Sequence, residues 1–240
     1  MSLFRVQHND FEQKFDAYHI DTLEDNEWEN ATRLDEQGWD NRYAYEAAML
    51  RDVIVDAQAK TVLEIGSGPG VLSQKIQQLL PYEVQYDLVD KPFAKKYFEE
   101  HKFKGRFFVK DISMDLDITG LRLSYDLIVI NDTLEHLIAP SNVVKKMVTL
   151  MDHNSVLFVS VPNWRMAHQF LYRGLWDYDN FIYFMYIHGL EMESVYPSCL
   201  QTPDYPRISS ESEMPEELRR SWNWYFTMKL KKHEKKAETA

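Results

Sequence analysis

The sequence has one cysteine, no long apolar run and a shortage of basic residues. Because Cys199 is the only cysteine, no intrachain disulfide can form, and a reducing compartment fits. The longest clear apolar run, residues 155–161, is far too short to span a bilayer. Residues 1–10 lack the apolar segment of a signal peptide. These absences predict a soluble, cytoplasmic protein with no membrane partner.

The charge balance disfavours one class of partner. Lysine and arginine number 27 against 38 aspartates and glutamates, which gives a net charge of −11. A surface this acidic repels phosphate backbones unless a local basic patch overrides it. We therefore expect a small-molecule substrate rather than a nucleic acid. A length of 240 residues with 45% hydrophobic residues suits one globular domain with an appendage.

Short apolar runs alternate with helical patterns along most of the chain. Such alternation favours an α/β fold, namely a doubly wound, mostly parallel, seven-stranded sheet with helices on both faces. Ligands of such sheets bind at the carboxyl ends of the strands, so the residues after each strand are candidates for function. The predicted strands are 61–65, 86–89, 106–109, 125–130, 155–161, 191–196 and 222–230; the predicted helices are 41–57, 71–80, 92–100 and 141–151.

The pattern divides the chain into three parts. Residues 1–57 form a predicted helical lead-in, in which Trp39 and Tyr43 could cover a ligand as a lid. Residues 58–232 form the main domain, with an aromatic-rich substrate cover at about 163–221. Helical core packing would explain the aromatic residues equally well. Residues 233–240 form a solvated tail.

A glycine-rich turn follows the first predicted strand. Residues 64–70 read E-I-G-S-G-P-G, and the glycines allow a tight turn and close approach of a ligand to the backbone. A dinucleotide fingerprint needs G-x-G-x-x-G, whereas position 71 is Val71 and the third glycine comes one residue early. A P-loop would need Gly-Lys-Ser/Thr, which is absent here. The turn therefore disfavours a diphosphate ligand.

Polar residues also follow the next three predicted strands. Asp90 comes after the second, where a carboxylate can accept hydrogen bonds from both hydroxyls of a ribose. Asp111 and Ile112 follow the third. The segment N-D-T-L-E-H-L, residues 131–137, follows the fourth.

Together these motifs resemble the class I S-adenosylmethionine-dependent methyltransferases, over about residues 40–165. The segment after the fourth strand resembles that of ubiquinone-biosynthesis-type O-methyltransferases. The resemblance implies a Rossmann-like methyltransferase fold and S-adenosyl-L-methionine as the cofactor. The cofactor-binding positions that it implies are Glu64, Gly66, Ser67, Gly68, Gly70, Asp90, Lys91, Asp111, Ile112 and Asn131.

The family pattern implies a role for several of these side chains. Glu64 would lie beside the charged end of the cofactor, and Asp90 would bind its ribose. Asp111 would accept from the adenine amino group while Ile112 covers the ring. The backbone around Asn131 would line the methionine part of the cofactor.

The chemistry has one candidate base. Methyl transfer is an in-line displacement, in which the protein mainly positions the nucleophile and excludes water. An oxygen nucleophile also benefits from losing a proton, and His136 could accept it, oriented by Glu135. Purely structural roles for both residues remain equally open. An N-directed enzyme would need no base, and a methyltransferase-like binding subunit would perform no chemistry.

A metal site is the last alternative. The spacing of Asp132, Glu135 and His136 is similar to that in metal-dependent small-RNA 2′-O-methyltransferases, where a further histidine completes the site. Here that histidine would be 153, 168 or 188, and no motif selects among them. The favoured prediction is a site without metal.

Overall fold

The structure is a computed structural model. The model describes residues 39–101, 103–163, 177–198, 207–209, 215, 218, 221 and 223–231. The chain divides into two compact units, Met1–Arg42 and Tyr43–Ala240, and the second unit contains the sheet. No helix in the described ranges is both long enough and apolar enough to cross a membrane.

The described residues form both helices and strands. The helices are α1 (Trp39–Asp56), α2 (Val71–Leu79), α3 (Pro92–His101), α4 (Pro140–Thr149) and α5 (Tyr178–Ile187). The strands are β1 (Thr61–Ile65), β2 (Gln85–Asp90), β3 (Gly105–Val109), β4 (Leu127–Ile130), β5 (Val156–Pro162), β6 (Leu190–Ser198), β7 (Ile208–Ser209) and β8 (Asn223–Leu230). A single turn of 3₁₀ helix, Leu134–His136, follows β4.

The strands form one sheet in the order β3-β2-β1-β4-β5-β8-β6-β7. The five strands from β3 to β5 are parallel, whereas β8 runs antiparallel to both β5 and β6. This confirms the predicted doubly wound, mostly parallel α/β fold. The sheet has eight strands rather than the predicted seven, because the two-residue strand β7 pairs with β6. So short a pair leaves no periodic pattern in the sequence.

Alternate residues of the strands pack on opposite faces of the sheet. Leu63 and Ile65 belong to a core shared with α4 and α5, whereas Val62 belongs to a second core shared with α1 and α2. A period of two is what a pleated strand buried on both faces requires. The predicted helices on both faces are therefore confirmed.

The aromatic stretch after β5 is only partly described. Tyr178, Phe181 and Phe184 pack on α5 against the sheet, whereas Tyr183 and Tyr186 are 65% and 51% exposed. The other aromatic residues of the stretch, within 164–176, lie outside the described residues, as does Cys199. The described buried rings are core residues, and a substrate cover at 163–221 stays a prediction, as does the lid.

A buried carboxylate joins β2 to β3 and to the start of β4. Asp87 is fully buried and accepts hydrogen bonds from Arg106 Nε at 2.7 Å and Nη2 at 2.5 Å. The Tyr125 hydroxyl donates to the same carboxylate at 2.6 Å, and Arg122 Nε lies 3.3 Å from it. A buried charge is tolerated only when it is paired and hydrogen-bonded in this way.

The first prediction concerns this carboxylate. Asp87→Ala leaves the Tyr125 hydroxyl buried without its acceptor and removes the partner of Arg106. Breaking a buried ion pair costs about 3–5 kcal/mol, and the half-exposed Arg106 places the expected loss near the lower end. Urea denaturation measures the loss, with Asp117→Ala as the control, because Asp117 is an exposed carboxylate paired with Lys110. Equal losses of stability in Asp87→Ala and Asp117→Ala would contradict the stabilising role of the buried carboxylate.

Candidate functional site

The predicted site residues meet at the carboxyl ends of the parallel strands. Ile65 of β1 is in register with Val89 of β2 and with Ile130 of β4. Asp90 in turn is in register with Val109 of β3. The segments after these four strands therefore lie side by side along one edge of the sheet, where ligands bind in doubly wound folds.

The glycine turn connects β1 to α2 with left-handed backbone at three positions. Gly66, Gly68 and Gly70 have φ angles of 71°, 51° and 82°, which only glycine adopts without strain. The N–H groups of Gly66 and Ser67 both donate to the carbonyl of Val89, at 2.9 and 3.2 Å. The turn is thereby tied to the end of β2.

The turn is also packed against the segment after β4. A Cβ atom placed on Gly66 would lie only 2.2 Å from Thr133 Oγ1. The hydroxyl of Thr133 donates to the Asn131 carbonyl at 2.9 Å, which fixes the rotamer of this side chain. Glycine at position 66 is therefore required by a close approach of two loops as well as by its own φ angle.

Asp90 lies where the sequence predicts a ribose-binding carboxylate. Its two oxygens accept the N–H groups of Gly68 at 2.5 Å and of Lys91 at 2.7 Å. Burial raises the pKa of Asp90 above its ordinary value, and these two N–H groups oppose the rise. A carboxylate offers about four lone pairs, so further hydroxyls could still bind to this partly buried group.

Asp111 and Ile112 follow β3 and differ in burial. Asp111 is exposed, whereas Ile112 is only 5% exposed and belongs to the core. Burial alone would raise the pKa of Asp111, but hydrogen bonds from Ser113 and the charge of Lys91 lower it. An exposed acid with a lowered pKa thus precedes a buried apolar side chain, and the predicted adenine contacts of both residues stay predictions.

Glu64 is a buried acid beside the glycine turn. Its side chain is 3% exposed, and its carboxyl group accepts a hydrogen bond from the Ser73 hydroxyl of α2. Burial raises the pKa of Glu64 to about 8; the nearby carboxylates of Asp90 and Glu46 add to the rise, and Ser73 opposes it. Position 64 therefore holds an acid that a neighbouring cation would ionise.

Sequence reasoning missed a buried acid on α1. Glu46 is fully buried and accepts from the Tyr225 hydroxyl at 2.7 Å and from Asn131 Nδ2 at 3.1 Å. The Ser160 hydroxyl donates to the other side of the same amide, Asn131 Oδ1, at 2.7 Å. The available signal was a charged residue on the apolar face of α1 formed by residues 47, 50 and 54.

The predicted base and its orienting residue lie in the 3₁₀ turn. The side chain of His136 is 45% exposed, whereas Glu135 is 1% exposed. Glu135 Oε1 lies 3.8 Å from His136 Nε2, which is longer than a hydrogen bond. The backbone N–H of His136 donates to the Thr133 carbonyl at 3.0 Å. The exposed imidazole is accessible to an acceptor, and the orienting role of Glu135 stays a prediction.

The residues of the metal alternative have other contacts. The Asp132 carboxylate accepts from Asn223 Nδ2, and His188 Nε2 lies 2.7 Å from the Ser141 hydroxyl. His153 is exposed on a turn, and His168 lies outside the described residues. Across the residues that the structure describes, no three side chains of His, Cys, Asp or Glu come together as metal ligands.

The electrostatic character of the edge is acidic. Asp90 and Glu46 lie close enough to Glu64 to raise its pKa, and carboxylates in these positions would repel a diphosphate. A ligand with a ribose and a cationic group would be attracted. The glycine turn, Asp90 and Asp111 thus lie along the edge where the sequence predicts that a cationic nucleoside binds.

Comparison with known proteins identifies the family and the fold. A family model described as "Methyltransferase domain" matches residues 39–192, which is more than half of the 240-residue chain. No curated protein matches the chain.

Solved structures share the fold at low sequence identity. A TehB-like SAM-dependent methyltransferase from Corynebacterium glutamicum has a TM-score of 0.57 and 17% identity, covering 84% of this chain and 99% of its own. The plantazolicin methyltransferase BamL, solved with SAH, has a TM-score of 0.61 and 11% identity, with 84% and 90% coverage. The CcbJ methyltransferase from Streptomyces caelestis has a TM-score of 0.59 and 14% identity, with 78% and 90% coverage.

The second prediction concerns the pH dependence of stability. A glutamate with an ordinary pKa of 4.5 in the unfolded chain and about 8 in the folded protein takes up a proton on folding between these values. Relative to Glu64→Gln, the wild type should therefore be most stable below the unfolded pKa. Relative to that variant, the free energy of unfolding of the wild type should fall by about 1.4 kcal/mol for each pH unit between the unfolded and the folded pKa.

Urea denaturation of both proteins at several pH values measures this difference. Ser73→Ala removes the hydrogen bond that favours ionised Glu64, so the pKa of Glu64 in the folded variant should be higher than in the wild type. The fall in stability of this variant should therefore continue to a higher pH. A difference between wild type and Glu64→Gln that is the same at all pH values would contradict the raised pKa.

Proposed function

The chain belongs to the methyltransferase-domain family, as a class I S-adenosylmethionine-dependent enzyme, and on this premise we propose that it methylates an oxygen of a small metabolite or glycan-like acceptor. The observation that carries the proposal is the glycine turn with acids on both sides. Its backbone allows close approach of a nucleoside, and Glu64 and Asp90 suit a cation and a ribose rather than a diphosphate.

We assign the cofactor to the edge formed by the first four strands. Asp90 would hold the ribose hydroxyls, Asp111 the adenine amino group and Ile112 one face of the ring. Glu64 would ionise in response to the positive end of the cofactor, because a nearby cation lowers the pKa of an acid. Gly66, Ser67, Gly68, Gly70, Lys91 and Asn131 would contribute backbone or polar contacts.

The cofactor supplies a methyl group that is already activated by a positively charged sulfur. The residues of the chain then need only to hold the acceptor in line and to move one proton. His136 would accept the proton from an acceptor hydroxyl, since its side chain is 45% exposed and histidine is the side chain that most often serves as a general base. His136 as the base would suit an oxygen acceptor. The likeness to ubiquinone-biosynthesis-type enzymes stays a resemblance in the sequence after β4.

Two alternatives would use the same cofactor site. An N-methyltransferase would bind a neutral amine and would not depend on His136, whereas a methyltransferase-like binding subunit would hold cofactor without turnover. The acidic surface supports a small-molecule acceptor over nucleic acid. The single cysteine supports a reducing, cytoplasmic location.

The third prediction concerns cofactor binding. Calorimetry should detect binding of S-adenosylmethionine and not of NAD. Asp90→Ala should weaken S-adenosylmethionine binding by about 1–3 kcal/mol, because it removes charge-assisted hydrogen bonds. Asp90→Asn should lose less, since its amide oxygen can still accept from a hydroxyl or from Gly68. Tight binding of NAD without binding of S-adenosylmethionine would overturn the proposal.

The fourth prediction concerns turnover. A screen of hydroxyl and amine acceptors with a labelled methyl donor would identify a substrate. With a hydroxyl acceptor, His136→Ala should lower kcat by about 10²–10⁴-fold, the usual contribution of a general base, and leave cofactor affinity unchanged. Full activity of the variant would rule out His136 as the base. Labelling confined to amines would favour the N-directed alternative.

A further inference from the structure

One residue after β4 has an unusual backbone conformation. Asp132 has a φ angle of +43°, in the left-handed region that non-glycine residues seldom occupy. Asparagine and aspartate tolerate this region better than other side chains, and such a residue persists only where its surroundings hold it. The conformation turns the chain from β4 into the 3₁₀ turn that carries His136.

Two other strands hold Asp132 in this conformation. Its N–H donates to the Ser160 hydroxyl of β5 at 2.9 Å, and this hydroxyl lies 2.6 Å from Asp132 Oδ1. Asn223, the first residue of β8, donates through Nδ2 to both carboxylate oxygens at 3.0 and 3.1 Å. We call Asp132, Ser160 and Asn223 the clamp.

The clamp lies next to the residue that contacts both the glycine turn and the 3₁₀ turn. Thr133 follows Asp132 and packs against Gly66 of the glycine turn. The carbonyl of Thr133 accepts a hydrogen bond from the backbone N–H of His136. The orientation of the peptide after Asp132 therefore decides where the candidate base lies relative to the turn that would hold the cofactor.

Resting on the proposed function, we propose that Asp132 is a positioning residue for methyl transfer. It acts through Ser160 and Asn223, which hold the left-handed turn after β4 and thereby fix the place of His136. A displacement of about 1 Å is enough to lower a rate about 100-fold when a reaction depends on the positions of the reacting groups. The clamp thus contributes to turnover without touching the reacting atoms.

The fifth prediction tests the clamp without cofactor or acceptor. Asp132→Ala should lower the hydrogen-exchange protection of the His136 and Leu137 amides about tenfold, because the turn that orders them loses its anchor. Asn223→Ala should have the same effect, and the double variant should lose little more than either single variant. Additive losses, or unchanged protection, would overturn the proposal.

Conservative and matched variants sharpen this measurement. Asp132→Asn should retain much of the protection, because asparagine tolerates left-handed backbone and keeps one carbonyl acceptor. The control is Asp126→Asn, whose carboxylate accepts from the N–H groups of Lys60 and Thr61 at 2.8 Å each, at the other end of β1 and β4. The control should leave His136 protection unchanged.

Kinetics with an acceptor from the screen separates positioning from a direct role. Asp132→Ala should lower kcat about 100-fold while KM for S-adenosylmethionine changes less than about threefold, and Asp132→Asn should recover much of the loss. If both variants lose kcat equally with His136 protection intact, Asp132 acts on the reactants and the positioning role is wrong. If the wild type binds no S-adenosylmethionine, the proposed function fails, while hydrogen exchange still decides the clamp.

Discussion

The contact between Gly66 and Thr133 is the constraint on which the site depends. The two residues belong to different loops, one after β1 and one after β4, and the space between them does not admit even a Cβ atom. Because protein interiors are packed at crystal-like density, neither loop can move far without displacing the other. The groups on the first loop that would bind cofactor and the groups on the second loop that would face the acceptor are therefore held at fixed relative positions.

Several acids lie near these two loops, and the burial of Glu64 has a cost to folding. Glu64 folds in its protonated form near neutral pH because burial outweighs the hydrogen bond from Ser73. Asp87, at the next strand, is equally buried but stays satisfied by Arg106 and Tyr125. Asp87 therefore stabilises the fold through its partners, whereas Glu64 has the strongly perturbed pKa that is typical of acids at functional sites.

The sequence predicts features that depend on neighbouring residues in the chain. The five parallel strands and the candidate positions that follow them could be located because strand periodicity and the turn at Gly66 are local patterns. The contacts of Glu46 with Asn131 and of Asp132 with Asn223 join residues 85 and 91 positions apart. No local pattern specifies such pairs, since they depend on which strands become neighbours and on the direction of each side chain.

The position of β8 has a consequence for the order of assembly. This strand follows β5 and β6 in the chain, yet it lies between them in the sheet. During synthesis no strand therefore pairs β5 with β6 until the ribosome has delivered residues 223–230. Asn223 arrives in the same step and donates to the Asp132 carboxylate. The left-handed turn after β4 thus gains this anchor only when the last strand enters the sheet.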